Sequence, residues 1–242
     1  MPREENPDPP YQKVMVVVAH ADDAEFGCSG SVAKFVREGY EVVYVICTDG
    51  SKGSDDPAET QESLAATRRQ EQLDAGKILG LKTVEFLGFP DSYLEPTLEL
   101  RKAIAREIRK HQPDILLCQH PSRRLDNARY LGHPDHQAAG EAALSAVYPT
   151  ARDRLTYPDL LEQGLEPHKV REVWVMMGPE TEGVHFNELT EADMDTSIRA
   201  LKAHVSQVPS DGIDERMREG RRRTGARVGY RYAESFEIFT LR

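Results

Sequence analysis

The chain has 242 residues, and 41 Asp and Glu against 31 Lys and Arg give a formal net charge of −10. That length suits one ordinary domain that buries a core without disulfide staples, and the acidity argues against a protein held on nucleic acid by bulk phosphate attraction. Hydrophobic residues make up 39%, charged residues 30% and the mean hydropathy is −0.58, so a soluble globular domain is expected; no apolar run approaches the roughly 18 residues of a spanning helix.

Residues 1–13 are polar and Pro-rich and read as a disordered or loosely docked tail, not as a secretory signal. Val14–Ala19 is a continuous apolar, β-branched run, the habit of a strand buried on both faces of a parallel sheet. A Gly27-Cys28-Ser29-Gly30 turn follows, then a helix over Ser31–Glu38 with Val32, Phe35 and Val36 on one face. Glu41–Cys47 is expected as a second strand, Thr60–Leu79 as a long helix, Thr83–Leu87 as a third strand and Thr97–His111 as a helix. Ile115–Cys118 reads as a fourth strand, and an Ala-rich helix runs from His136 to Val147. Val170–Met177 reads as a fifth strand, Asp193–Ser206 as a helix and Glu234–Leu241 as a final short strand. Ser122–Tyr130 and Tyr148–His168 read as long loops. This alternation predicts a single α/β domain over 14–242, with a doubly wound, mostly parallel, Rossmann-like sheet. Cys28, Cys47 and Cys118 are far apart and odd in number, which fits buried thiols in a reducing cytoplasm.

In such sheets chemistry gathers beyond the C-terminal strand ends. One loaded place is His20-Ala21-Asp22-Asp23-Ala24-Glu25, with one imidazole and three carboxylates in six residues. The plain reading is an acidic turn capping the next helix. Adjacent carboxylates repel unless a cation or protons neutralise them, however, and a second cluster, His133-Pro134-Asp135-His136, follows another strand. That second motif alone could be the N-terminal decoration of a helix started by Pro134. Together the two motifs point to zinc: two His and a carboxylate leave a position open for water.

The sequence resembles the PIG-L/LmbE family of zinc-dependent N-deacetylases. Its A-H-P-D-D-x-E motif reads Ala19-His20-Ala21-Asp22-Asp23-Ala24-Glu25 here, and H-P-D-H is intact at His133–His136. Minor likenesses cover Thr48–Gly53, Arg68–Glu71, Leu87–Asp91, Ala200–Gln207 and Tyr232–Phe236. Ala21 departs from the usual Pro but removes no ligand. The resemblance implies His20, Asp23 and His136 as ligands of Zn2+, with Fe2+ or another divalent ion also suited to that set. It implies Asp22 as general base acting on metal-bound water, His133 at the oxyanion or leaving amine, and Asp135 orienting His133. Glu25 is expected to hydrogen-bond behind the site. The implied substrate is a small amide, an acylated amino sugar of the N-acetylglucosamine type. Alternatives are an amidase on a thiol conjugate or natural-product intermediate, or a non-catalytic sugar- or metal-binding module, against which the retained Asp22 speaks. Neither nucleic acid nor a membrane is expected as partner. Members of the family often associate, which leaves a homo-oligomer open.

Weaker signals remain. Arg68 and Glu71 read either as a structural ion pair or as substrate contacts, and His120 follows a strand at the site's rim. Arg123, Arg124 and Arg129 suit either a hydroxyl-rich or anionic substrate or a solvated loop. His204 fits the core or a place behind the ligands, and His111, His168 and His185 fit surface or loop positions. Six arginines between Arg216 and Arg227 read as a charged exposed helix and turn, with a lid or partner patch as the competing reading. Gly27–Gly30 lacks G-x-G-x-x-G, so NAD is rejected, and its small residues instead allow close helix packing.

Overall fold

The computed structural model describes residues 10–123, 131–177, 181–209 and 211–241. Strand and helix alternate: β1 (Lys13–Val18), α1 (Asp23–Gly27), α2 (Ser29–Arg37), β2 (Glu41–Thr48), α3 (Gln61–Leu79), β3 (Thr83–Phe89), α4 (Leu98–His111), β4 (Ile115–Cys118), α5 (Pro134–Ser145) and β5 (Glu172–Met176). An irregular helical turn, Ala146–Ala151, and the short α6 (Pro158–Glu162) lie between α5 and β5. After β5 come β6 (His185–Glu188), α7 (Glu191–Leu201), α8 (Ile213–Ala226) and β7 (Ala233–Thr240).

The seven strands form one sheet in the order β3-β2-β1-β4-β5-β7-β6. The first five are parallel, and β7 runs antiparallel to both β5 and β6. The mostly parallel, doubly wound reading of the sequence therefore holds. β1 splits its apolar residues between two cores, as period-2 geometry requires. Met15 and Val17 pack with α4 and α5, whereas Val14, Val16 and Val18 pack with α1, α2 and α3. Both faces are covered, which is why the run carries no alternation.

Local chemistry sets the ends of the elements. Thr60 and Ser63 form a reciprocal capping box at α3, which ends on Gly80 in the left-handed region. Thr97 caps α4 by accepting from the Leu100 amide at 3.2 Å. Four expectations change. Residues Tyr11–Lys13 are anchored: the Tyr11 hydroxyl donates to Glu172 at 3.2 Å, the Gln12 amide donates to Asp114 at 2.8 Å, and Lys13 already belongs to β1. The Tyr148–His168 stretch contains α6. α7 stops at Leu201, short of Ser206. β6 was hidden because His185-Phe186-Asn187-Glu188 is short and polar, as befits an edge strand. Among the described residues, no helix is long and apolar enough to cross a membrane.

The arginine-rich segment is α8 and the turn after it. Arg218 pairs with Glu191 and Asp195, and Arg222 pairs with Glu215 at 2.6 Å. Arg221 donates to the buried Glu234 at 3.0 Å, and Glu234 also accepts from the Gly30 and Ser31 amides that open α2. A Cβ on Gly30 would lie 3.0 Å from that carboxylate and 2.5 Å from Leu189, which explains the small residue there. Arg218 and Arg221 fasten α8 to α7 and β7, whereas the Arg222–Glu215 pair lies within α8.

Candidate metal centre and active site

Strand order reverses at β1, whose neighbours β2 and β4 lie on either side. The crevice at the carboxyl ends of β1 and β4 is therefore the switch point where such sheets bind ligands. The two ends are tied together: Gln119, just past β4, accepts from the Ala19 amide at 2.9 Å. α5 passes so close over this junction that a Cβ on Gly140 would lie 2.3 Å from the Gln119 carbonyl oxygen. Only glycine permits that approach, which brings the N-terminus of α5 over the end of β1.

Both histidine motifs meet there. His20 is buried, and its ring lies 4.8 Å from that of His133 and 5.4 Å from that of His136, centroid to centroid. Asp23 stands between two of them, with Oδ2 at 3.3 Å from His20 Nδ1 and Oδ1 at 3.0 Å from His136 Nε2. Donors about 2.0–2.2 Å from one tetrahedral ion are separated by about 3.3–3.5 Å, so each Asp23–histidine contact is near ligand spacing, and the nitrogens of His20, His133 and His136 lie within 4.8 Å of one another, a donor chemistry that suits a divalent ion. The far nitrogen of His20 is occupied. Its Nε2 lies 3.1 Å from Asp135 Oδ2 and 3.2 Å from Asp91 Oδ1, which places the proton on Nε2 and leaves the Nδ1 lone pair for a metal. His20, Asp91 and Asp135 also cluster tightly enough to suggest a ligand group, as do the three histidines. Asp135, however, is already engaged by the Ser92 amide at 2.7 Å and the Leu94 amide at 3.3 Å, so its carboxylate acts as a support.

Asp135 reaches both His20 and His133. Its carboxylate holds His20 and lies 3.8 Å from His133 Nδ1. His133 is the N-cap of α5, and its Nδ1 accepts from the Asp135 amide at 3.2 Å. The helix-decoration reading is therefore observed, and the cap is compatible with a neutral ring whose Nε2 carries the N–H. For Asp22 the capping reading fails. Asp22 occupies the N-cap position of α1 with φ 85°, but its side chain makes no cap hydrogen bond.

Charge is unbalanced around His20. Burial works against its cation, yet hydrogen bonds to Asp135, Asp23 and Asp91 outweigh it and push the imidazole pKa up to about 12. Burial, then the neighbouring Asp23 charge, lift Asp22 to about 7. Asp23 is also buried, but hydrogen bonds from His136 and His20 hold it well below the usual carboxylate range. Burial opposes the Asp91 carboxylate too, and the His20 hydrogen bond and charge bring it down to about 2. For His133, burial and the His20 cation both lower the pKa.

Known proteins share both sequence and fold with the chain. The family profile described as GlcNAc-PI de-N-acetylase, PIG-L, matches residues 15–147. The chain belongs to the PIG-L family. It is 34% identical to diacetylchitobiose deacetylase of Thermococcus kodakarensis over 94% of this chain and 83% of that protein. It is 28% identical to a probable N-acetyl-alpha-D-glucosaminyl L-malate deacetylase 2 of Bacillus anthracis, over 80% of each. The solved N,N'-diacetylchitobiose deacetylase from Pyrococcus horikoshii superposes with TM-score 0.85 at 29% identity, covering 98% of this chain and 86% of that one.

Within this PIG-L fold the remaining expected residues separate. Arg68 is buried beneath the site: it donates to the Ala21 carbonyl at 3.0 Å and lies 3.6 Å from Asp22 and 3.7 Å from Asp91. Glu71 does not pair with it. Both Glu71 oxygens are taken by Ser206, through its amide and its hydroxyl, each at 2.7 Å, so Glu71 anchors the turn after α7 rather than a substrate. His120 folds back on its own loop, with Nδ1 2.8 Å from the Ser122 carbonyl oxygen. Arg123 is exposed, whereas Arg124 and Arg129 lie outside the described residues. Sequence reasoning gave Asp91 and Gln72 no part in the site. Asp91 had a usable signal, since it sits just past β3 at a C-terminal strand end. Gln72 had none, lying mid-helix among polar residues.

Proposed function

We propose that the protein is a metal-dependent N-deacetylase that hydrolyses the acetamide of an N-acetylglucosamine-type sugar or sugar conjugate. The observation that carries this reading is the division of labour around one small space. Asp23 lies 3.3 Å from His20 Nδ1 and 3.0 Å from His136 Nε2, the ring of His133 lies 4.8 Å from that of His20, and Asp22 adjoins Asp23 in the chain; we assign the first three as ligands and leave Asp22 and His133 for proton transfer and oxyanion contact. A divalent ion held there, zinc or ferrous iron, supplies Lewis acidity that makes water acidic near neutral pH and polarises an amide carbonyl.

The chain's own residues supply the rest. Asp22 takes the proton of the attacking water and delivers a proton to the departing amine. His133 offers Nε2–H to the carbonyl oxygen as negative charge collects on it, with Nδ1 occupied by the cap. Asp91 and Asp135 keep His20 in the tautomer that presents Nδ1. Arg68 holds the Asp22 and Asp91 carboxylates near one another. The relatives that act on diacetylchitobiose and glucosaminyl malate support an amino-sugar substrate. A mycothiol S-conjugate amidase of Streptomyces coelicolor, 32% identical over 72% of this chain and 64% of that protein, favours a thiol-conjugate amide as the second reading. We take residues 14–242 as one domain, and the three buried free thiols support a reducing, cytoplasmic setting.

The test is a screen of N-acetylated glucosamine derivatives, N,N'-diacetylchitobiose and an acylated thiol conjugate, reading free amine with and without a chelator. Amine release from the sugars that stops on chelation and returns with added metal is expected. Release from the thiol conjugate alone selects the second reading, and chelator-insensitive release overturns metal dependence.

A further inference from the structure

We propose that Gln72 is a positioning residue for the base: its side-chain amide, clamped by the buried Glu25 carboxylate, holds the Ala21–Asp22 peptide in the orientation that aims the Asp22 carboxylate. The inference rests on Asp22 acting as that base.

Asp22 has φ 85° and ψ −24°, in the left-handed region. A Cβ makes that conformation costly for a non-glycine residue, so surrounding contacts must enforce it. The turn does not enforce it alone. α1 is only five residues long, Asp22 makes no side-chain cap bond to it, and residue 21 is Ala, without a ring to restrain the chain. The restraint comes from α3. Gln72 Oε1 accepts from the Asp22 amide at 3.2 Å, and four residues earlier on the same helix Arg68 Nη2 donates to the Ala21 carbonyl at 3.0 Å. The carbonyl of Ala21 and the N–H of Asp22 belong to one planar peptide unit. Side chains at i and i+4 of one helix therefore grip the two ends of a single peptide, fixing its rotation.

The chemistry at Gln72 is particular to an amide. On one side it meets a backbone N–H, which only donates. On the other, Gln72 Nε2 donates to Glu25 Oε1 at 3.1 Å, and an ionised carboxylate only accepts. A bridging group must accept at one end and donate at the other. Met has the length and neither function, and Glu would set a second carboxylate against Glu25. Gln72 and Glu25 are both fully buried, so water cannot replace the bond between them. The Ser29 hydroxyl donates to the Glu25 backbone carbonyl at 2.8 Å, and the fully buried His204 lies with Nε2 3.4 Å from Glu25 Oε2, in ion-pair range without a hydrogen bond. The Asp22 carboxylate is thus aimed through a chain running from Glu25 through Gln72 to the peptide.

The deciding experiment uses the full-length, metal-loaded Gln72→Met protein beside the parent. Three quantities are measured: hydrogen exchange at the Asp22 amide by NMR, metal per chain, and kcat and KM on the acetylated sugar the parent cleaves. Exchange at Asp22 is expected to accelerate at least about tenfold. The kcat is expected to fall about 10- to 100-fold, as for a misaimed group, with KM within about twofold and metal retained. An unchanged kcat, an unchanged exchange rate, or an activity loss explained by lost metal overturns the proposal. Should the variant not fold, exchange in the parent decides: protection of the Asp22 amide supports the clamp, and exchange as fast as that of exposed loop amides removes it. A parent that cleaves no acetamide sinks the deacetylase reading, while the exchange measurement still tests the clamp.

Discussion

Two clusters in this molecule mix histidine with carboxylates, and they are built to opposite ends. At the mouth of the sheet, Asp22, Asp23, Asp91 and Asp135 surround three histidines, and one guanidinium, Arg68, stands within ion-pair range among the described residues. Between β3 and the last turns of α4, Glu85 and Glu107 meet His111, but Lys110 reaches both carboxylates at 2.8 and 3.2 Å and Arg106 reaches Glu107 at 2.5 Å. The second cluster is neutralised by its own lysine and arginine. The first is not, because its four carboxylates exceed its one arginine. Residue type alone does not separate them, since both bring histidine and carboxylate donors within ligand range of one another. Local charge balance does.

The strongest way to break that contrast is to remove a donor from the mouth. His136→Ala is expected to lower the metal content well below the parent's about one ion per chain, with deacetylation lost, as read by elemental analysis and amine release. If that variant binds metal like the parent, the assignment of His136 is wrong. Next in size, Asp22→Asn should keep its metal and lose about 10²- to 10⁴-fold in kcat. Full activity there would strip Asp22 of its role as base.

The second cluster answers to stability instead. Burial opposes the Glu107 charge, but the His111 hydrogen bond and the Lys110 charge lower its pKa to about 2, below its ordinary 4.5. A carboxyl group depressed by folding contributes stability above its unfolded pKa, and loses it as pH falls through the folded one. Glu107→Gln is therefore expected to cost on the order of 2 kcal/mol at pH 7, with the gap to the parent closing between about pH 4.5 and 2 in denaturant titrations. A gap that widened on acidification would contradict this account. The smallest effect tests the contrast itself: His111→Ala should leave metal content and kcat at the parent's values, and a loss of bound ion would make the second cluster a metal site.

Much of the fold was legible because its signals are local. Val14–Ala19 announces a strand covered on both faces, and Thr60 and Thr97 mark helix starts through bonds to residues three positions on. The edge strand β6 was not legible, because four polar residues adopt a strand only when β7 supplies the partner. The site divides along the same line. The stretches His20–Glu25 and His133–His136 declare their chemistry by type and spacing. Glu71 and Arg68 looked like a pair from their spacing, but their side chains serve Ser206 on one side and the Ala21–Asp22 turn on the other.

By itself the sequence determined which reactive groups exist and at which strand ends they sit, since a strand run and the turn after it are written in a few adjacent residues. Only the tertiary structure decided which of those groups touch. Asp135 holds His20 across 115 residues of chain, Gln72 holds Asp22 across 50, and Asp91 reaches His20 from the loop after another strand. Such contacts depend on strand order, on helix register and on a close approach at Gly140. These are properties of the packed sheet and of no single segment.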